Sequence, residues 1–182
     1  MNNILSDFKL QFKIYGNSSI LIEWPKIISE DVLKNMLNFK DFLEKNYIKQ
    51  NIHILSAYNS LLVSYNIGIN NIYDEISYIK SWYLSFEGSN LNTTKLWKIP
   101  VCYDLDFGLD LEDISVQNKL SVAEIVKDHT SVKYRLYFVG FLPGFLYLGG
   151  LSETLHIPRK SVPRLHVDKG SVGIGGTQTG IY

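Results

Sequence analysis

The sequence predicts an α+β protein of two successive parts: a hairpin-plus-helix α/β sandwich, then a β-rich part that reads as a barrel or sandwich. Three observations carry this prediction. Through residue 90 the hydrophobic pattern switches between period 2 and period 3.6 in the order strand, strand, helix, strand, strand, helix, which is one unit used twice. After Val139 fall 9 of the 13 glycines and 3 of the 5 prolines, the punctuation of short strands joined by tight turns. Between these regions Gly88 to Thr94 gathers loop-forming residues, so the parts are set at 1–90 and 91–182.

In the first part Phe8, Leu10, Phe12 and Ile14 alternate with Lys9, Gln11, Lys13 and Tyr15, as in a half-buried strand. Gly16-Asn17 suits a tight hairpin turn into a second strand with Ile20, Ile22 and Trp24 inward. Ser29 is placed to cap a helix with Glu30 and Asp31 in its first turn and Leu33, Met36, Leu37 and Leu43 as its apolar stripe. Strands near Ile52–Leu55 and Leu61–Tyr65 flank a turn at Ala57–Ser60, and Ile72, Ile76, Ile79 and Tyr83 recur at helical spacing. The second part opens on an expected strand, Leu96 to Tyr103, followed by an acidic run. Ser121 and Glu124 form a capping box for a helix whose single face holds Val122, Ile125, Val126 and His129. From Tyr134 onward YRLYFVGF, PGFLYLGG and VGIGGTQTGIY read as strands.

Composition narrows the function. Of 182 residues 46% are hydrophobic, enough for a sizeable core. The 18 basic and 18 acidic side chains cancel, so no charge footprint for duplex nucleic acid or an anionic membrane is expected. A single cysteine, Cys102, forbids an intrachain disulfide, and with no export signal at the start a cytoplasmic protein is expected. The apolar stretch Phe138–Leu151 is too short and too interrupted by glycine and proline to span a bilayer.

Charges separate locally. Asp104, Asp106, Asp110, Glu112 and Asp113 contain no base among them, whereas Arg159, Lys160, Arg164 and Lys169 contain one acid, Asp168. Pro158-Arg159 and Pro163-Arg164 place two planar guanidinium forks on stiffened backbone, suited to a carboxylate or phosphate. The other reading is a solvated basic loop paired with the acidic one. GSVGIGGTQTG is open to two readings as well, backbone amides close to an anion or tight turns between strands, since it lacks the P-loop and dinucleotide-binding orders. Phe141, Phe145 and Tyr147 with interleaved glycines form either an aromatic wall against a flat ligand or ordinary core. The histidines and Cys102 fall at no ligand spacing and the acidic run fails the calcium-loop order, so no metal is expected. His129 reads as a core histidine with a satisfied hydrogen bond.

The segments YRLYFVGFLPGFLYLGGL and IPRKSVPRLHVDKGSVGIGGTQTGIY closely resemble the family known as the 5-oxoprolinase B-type subunit (PxpB), KipI or allophanate hydrolase subunit 1, with its GFxPGFxYLxGL and PRxxxPRxxVxxGSVGIxGxQTGxY patterns. VCYDLDFGLDLEDIS and AYNSLLVSYN resemble the family further upstream, and His129 sits at its usual histidine. The resemblance implies a cyclophilin-like β-barrel for the second part. It also implies a non-autonomous subunit of an ATP-dependent amidohydrolase that opens 5-oxo-L-proline to L-glutamate. Its implied partners are a larger barrel-type companion and a LamB/YcsF-type companion, with ATP bound with or by a partner. Carried onto this chain, the catalytic set is Arg159, Arg164 and Gln178, and the substrate-binding set is Phe141, Pro143, Gly144, Phe145, Tyr147, Gly175 and Thr179, around a small amide or lactam. The two arginines would stabilise charge developing on an activated amide oxygen. Two other functions occur among similar proteins: KipI-like inhibition of a sensor histidine kinase, and a carboxyltransferase-like module acting on urea or another small amide. Asp104, Leu105, Asp106 and Leu109 depart from the family's acidic loop, and Asn17 stands where an aspartate is common. The family continues past the position of Tyr182, so an incomplete barrel with an open edge is expected.

Overall fold

The computed structural model describes residues 8–46, 52–66, 68–86 and 94–182. The chain forms two compact units that divide between Thr94 and Lys95. Of the loop-forming run expected to mark the division, Gly88 to Thr94, all but Thr94 lies outside the described residues.

The first unit is a four-stranded antiparallel sheet, β1 (Gln11–Tyr15), β2 (Ser19–Glu23), β3 (Ile52–Ser56) and β4 (Ser60–Tyr65), in the order β1-β2-β4-β3, with helices α1 (Glu30–Asn46) and α2 (Ile72–Ser85). Register explains where its core lies. Ile22 opposes Leu61, Ile20 opposes Val63, and Val63 opposes Ile54, and all five are buried, while the alternate residues Leu21, Leu62 and Leu55 are less so. Only one face of the sheet therefore carries core. Against it α1 buries Val32, Leu33, Met36, Phe39 and Leu43, and α2 buries Ile76, Ile79 and Tyr83. Each fully buried aliphatic side chain is worth roughly 1.5–3 kcal/mol relative to exposure. β1 is an edge strand, and of its expected inward set Phe8, Leu10 and Phe12 are partly buried while Ile14 is 45% exposed.

Two polar residues of α1, Asn35 and Asn38, are buried here. Asn35 Oδ1 accepts from the Trp24 indole Nε1–H at 2.7 Å and from the Tyr83 hydroxyl at 2.9 Å, so two buried donors are satisfied by one acceptor. Leu37, expected in the helix stripe, is only partly buried, and Phe39 fills that role. The Phe39 ring meets Trp24, Tyr83 and Phe86 at centroid distances of 6.3, 5.0 and 5.5 Å.

In the second unit α3 (Leu111–Asn118) and α4 (Val122–Ser131) precede a sheet of β5 (Arg135–Val139), β6 (Leu146–Gly149), β7 (Val172–Gly175) and β8 (Gln178–Ile181), in the order β5-β6-β8-β7, all antiparallel. The α4 capping box is formed: Ser121 Oγ accepts from the Glu124 backbone N–H, and the Glu124 carboxylate accepts from the Ser121 N–H at 2.7 Å. Leu111, Ile125, Leu151 and Leu155 make the core, with Ile174 of β7 packed against it.

One expectation is corrected here. Leu96 to Tyr103 is not a strand: Leu96, Trp97 and Ile99 face solvent, and Pro100 supplies no N–H to a ladder. No closed barrel forms among the described residues, because β5 and β7 are opposite edges that do not pair. The chain between β6 and β7 has only one 3-10 turn, Glu153–Leu155, and one isolated bridge, Ile157 to Gly176.

Candidate functional site

The two faces of the second sheet differ. Cross-strand partners share a face, so Phe138, Tyr147, Gly180 and Gly173 form one row across the sheet, and Gly175 opposite Gln178 lies on the same side. Ile174, Thr179 and Leu148 belong to the other side, where Ile174 meets the core.

The first face is a glycine shelf bordered by rings. Phe138 stacks on Tyr147 with centroids 4.1 Å apart and planes 11° apart, and Phe145 meets Tyr147 at 4.6 Å and Tyr182 at 4.7 Å edge-on. Such pairs contribute about 0.5–1.5 kcal/mol each beyond burial. A Cβ on Gly180 would lie 2.5 Å from Phe145 Cζ, so the Phe145 ring occupies space that only glycine leaves. The ladder shifts register between Leu136 and Phe138, which brings Tyr137 to the same face as Phe138, with its ring over Gly149.

At the other end of the shelf lies Arg159. Its Nε and Cγ stand 3.3 and 3.4 Å from where a Gly175 Cβ would be, so the guanidinium stem rests on the bare backbone of the β7–β8 hairpin. Among the described residues Arg159 has no ion pair or hydrogen bond. Gln178, at the start of β8, shares this face. An unpaired guanidinium, a primary amide and a flat aromatic platform on one surface match a small planar guest with a negatively charged oxygen.

The remaining expected residues are distributed around this shelf. Phe141, Pro143 and Gly144 form the β5–β6 turn, held by Gly140 N–H to Phe145 O at 3.1 Å and Leu142 N–H to Gly140 O at 2.7 Å. Phe141 has φ +62 and is 73% exposed, a strained conformation for a bulky residue. Its ring meets Phe145 edge-on at 5.8 Å, which links the turn to the shelf. Arg164 does not share the freedom of Arg159: its Nη2 donates to Asp110 Oδ1 at 2.8 Å, and Lys160 Nζ donates to the same oxygen at 2.6 Å. Burial would push the Asp110 carboxyl up, but these two cations outweigh it and hold it below the usual carboxylate range. Lys160 is raised, first by the hydrogen bond to Asp110. For Lys160 and Arg164, then, the basic loop and the acidic run do pair.

Thr179 projects to the opposite face and is buried. Its hydroxyl donates to Gly173 O at 3.0 Å, so its oxygen is left to accept from His129 Nε2–H at 3.4 Å, and the Tyr103 hydroxyl donates to His129 Nδ1 at 2.6 Å. Both nitrogens of a neutral imidazole are thereby engaged, as expected of a core histidine. Burial lowers the His129 pKa and raises that of Tyr103. It also pushes Tyr134, whose hydroxyl donates to His129 O at 2.8 Å, up to about 12, with Tyr103 adding to the shift.

Sequence reasoning missed Tyr137, Phe138 and Tyr182 on the shelf, because the face on which they lie follows from strand register. Pairing of the acidic run with the basic loop was one of its readings, but Asp110 was not singled out within that run. Among the described residues no three His, Cys, Asp or Glu side chains cluster to hold a metal ion, and no helix is long and apolar enough to cross a membrane.

Comparison with known proteins places the chain in a family. The profile of the carboxyltransferase domain, subdomain C and D, matches residues 10–182. A Bacillus subtilis (strain 168) protein, named as the B-type subunit of 5-oxoprolinase, is 33% identical over 184 residues, covering 96% of this chain and 77% of that protein. The Escherichia coli O157:H7 protein of the same name is 44% identical over 109 residues, 60% of this chain and 50% of its own length. The crystal structure of TTHA0988 superposes with a TM-score of 0.76 at 26% identity, covering 90% of this chain. This chain spans 32% of that longer one.

Proposed function

We propose that this chain, which belongs to the carboxyltransferase-domain family, subdomain C and D, works as the B-type subunit of an ATP-dependent 5-oxoprolinase and has no activity of its own without companion subunits. The relatives' shared name supports that role. One observation supports the site: Arg159, free of ion pairs among the described residues, lies on Gly175 on the face that also holds Gln178 and the Phe138–Tyr147 stack.

5-oxo-L-proline is a small five-membered lactam with a carboxylate. The carboxylate suits the planar fork of Arg159, the lactam suits the donor and acceptor of the Gln178 amide, and the ring suits the face of Tyr147. ATP supplies the phosphoryl group that activates the lactam oxygen, after which water opens the ring C–N bond and L-glutamate, ADP and phosphate leave. The residues of this chain bind and orient the lactam in that sequence. A larger barrel-type companion and a LamB/YcsF-type companion complete the enzyme, and the open second sheet is read as part of a cyclophilin-like barrel. The cytoplasm is its compartment, a reading the single free Cys102 supports.

Co-expression with the two companion subunits tests the proposal. ATP-dependent glutamate formation from 5-oxo-L-proline is expected, abolished when this chain is omitted. Activity on urea instead, or undiminished activity without this chain, would refute it.

A further inference from the structure

The segment that carries Arg159 is poorly tied to the rest of its unit. Among the described residues the backbone of residues 158–167 makes no backbone–backbone hydrogen bond, and every residue from Pro158 to Gly170 is exposed. Immediately before it, Ile157 and Gly176 exchange two backbone bonds, Ile157 N–H to Gly176 O at 3.2 Å and Gly176 N–H to Ile157 O at 2.7 Å. That bridge fixes the segment at one end, next to the hairpin on which Arg159 rests.

The far end rejoins the sheet where Gly170 N–H donates to Tyr182 O at 2.8 Å, and between there and Arg159 the segment is held through side chains, chiefly by one carboxylate. Asp110 Oδ1 accepts from both Lys160 and Arg164, with Asp113 Oδ2 3.4 Å from Lys160 Nζ as an auxiliary contact. Asp110 occupies the N-cap position of α3, where an aspartate ordinarily accepts a hydrogen bond from the first turn, yet its side chain makes no such bond. The carboxylate is turned to the two cations instead. Its platform is firm: Phe107 and Gly108 N–H both donate to Asp104 O, at 2.9 and 2.8 Å, and Leu111 is buried against Gly108.

We infer that Asp110 is a positioning residue for the candidate site: by holding Lys160 and Arg164 it closes the chain on the far side of Arg159 and keeps that guanidinium over Gly175. Arg159 then sits between two clamps, the Ile157–Gly176 bridge and the Asp110 carboxylate. The inference rests on the reading of Arg159 as the residue that takes the guest's carboxylate. It divides the labour of the two proline-flanked arginines, with Arg159 facing the guest and Arg164 holding the loop.

Asp110→Ser is the informative variant, because serine can cap α3 while losing both cations. Two measurements on the full chain separate the inference from the reading beneath it. Backbone and Arg159 Nε ¹⁵N relaxation reports loop order without any ligand, and Asp110→Ser is expected to raise ps–ns mobility from Arg159 to Arg164 while α3 stays ordered. Calorimetric titration with 5-oxo-L-proline is expected to show about tenfold weaker binding for Asp110→Ser and near-complete recovery for Asp110→Glu. Unchanged mobility at residues 159–164, or unchanged affinity in Asp110→Ser alongside loss in Arg159→Ala, would overturn the role of Asp110 and leave the site standing. Unchanged affinity in Arg159→Ala, or no binding to the unsubstituted chain, would overturn the site reading, and with it the consequence drawn for Asp110.

Discussion

The first sheet fills its core-facing positions with Ile20, Ile22, Leu61 and Val63 and buries them under two helices, whereas the second places Gly173, Gly175 and Gly180 at matching positions along one face. In the first sheet side chains make the contact between layers. In the second the missing side chains let Phe145 and the stem of Arg159 settle on bare backbone. A strand gives up packing when it carries glycine, so three glycines on one face mark a surface shaped for close approach rather than for stability. The other face of that sheet follows the ordinary rule, with Ile174 in the core and Thr179 bonded to Gly173 and His129.

The contrast is most easily broken in the first unit. Asn35→Leu removes the acceptor of the Trp24 indole and the Tyr83 hydroxyl in a buried site. A loss of about 2–5 kcal/mol is expected, seen as a lower denaturant midpoint with unchanged slope. A loss below about 1 kcal/mol would mean the rings, not the polar pair, organise that core.

The glycine face is sharpened by two substitutions that differ in position. Gly180→Val sets a Cβ 2.5 Å from the Phe145 ring and 3.1 Å from Leu146 O, so a cost of about 1–3 kcal/mol is expected from overpacking. Gly173→Ala meets only the Tyr182 ring, at 3.6 Å, an ordinary contact. Its effect on unfolding should be within about 0.5 kcal/mol. Equal costs would show that the glycines serve backbone conformation rather than access.

The buried histidine gives an effect confined to acid pH, and one with a sign. Burial holds the folded pKa of His129 below its unfolded value near 6.5. The unfolded chain therefore takes up a proton first as pH falls. The stability His129 provides is full above the unfolded pKa and is lost below it, at up to about 1.4 kcal/mol per pH unit, until the folded pKa is reached. His129→Gln should flatten unfolding free energy against pH below about 6.5. An unchanged slope would place the acid sensitivity elsewhere.

Much of this was legible from local pattern. The hairpin at Gly16-Asn17, the Ser121–Glu124 box and the glycine-spaced strands each depend on residues a few positions apart, where sequence and structure speak the same language. Leu96 to Tyr103 misled because its alternation resembles a strand, while strand formation needs a partner that the apolar pattern cannot supply. The aromatic and glycine segments pointed to the shelf, but the face on which each residue lies followed only from register, including the shift at Tyr137. The division between the two arginines was out of reach, since Asp110 and Arg164 are 54 residues apart. Equal spacing after proline made them look alike, and only tertiary pairing separates them.

Activity of the assembled complex with Arg159→Ala beside Arg164→Ala is therefore the most direct measurement. The account predicts that Arg159→Ala lowers glutamate formation from 5-oxo-L-proline by about 100-fold or more, while Arg164→Ala, which loosens a loop still held through Lys160, costs about tenfold or less, with both variants folded. The reverse order, or equal losses, would contradict the claim that the free guanidinium on the glycine shelf is the one that meets the guest.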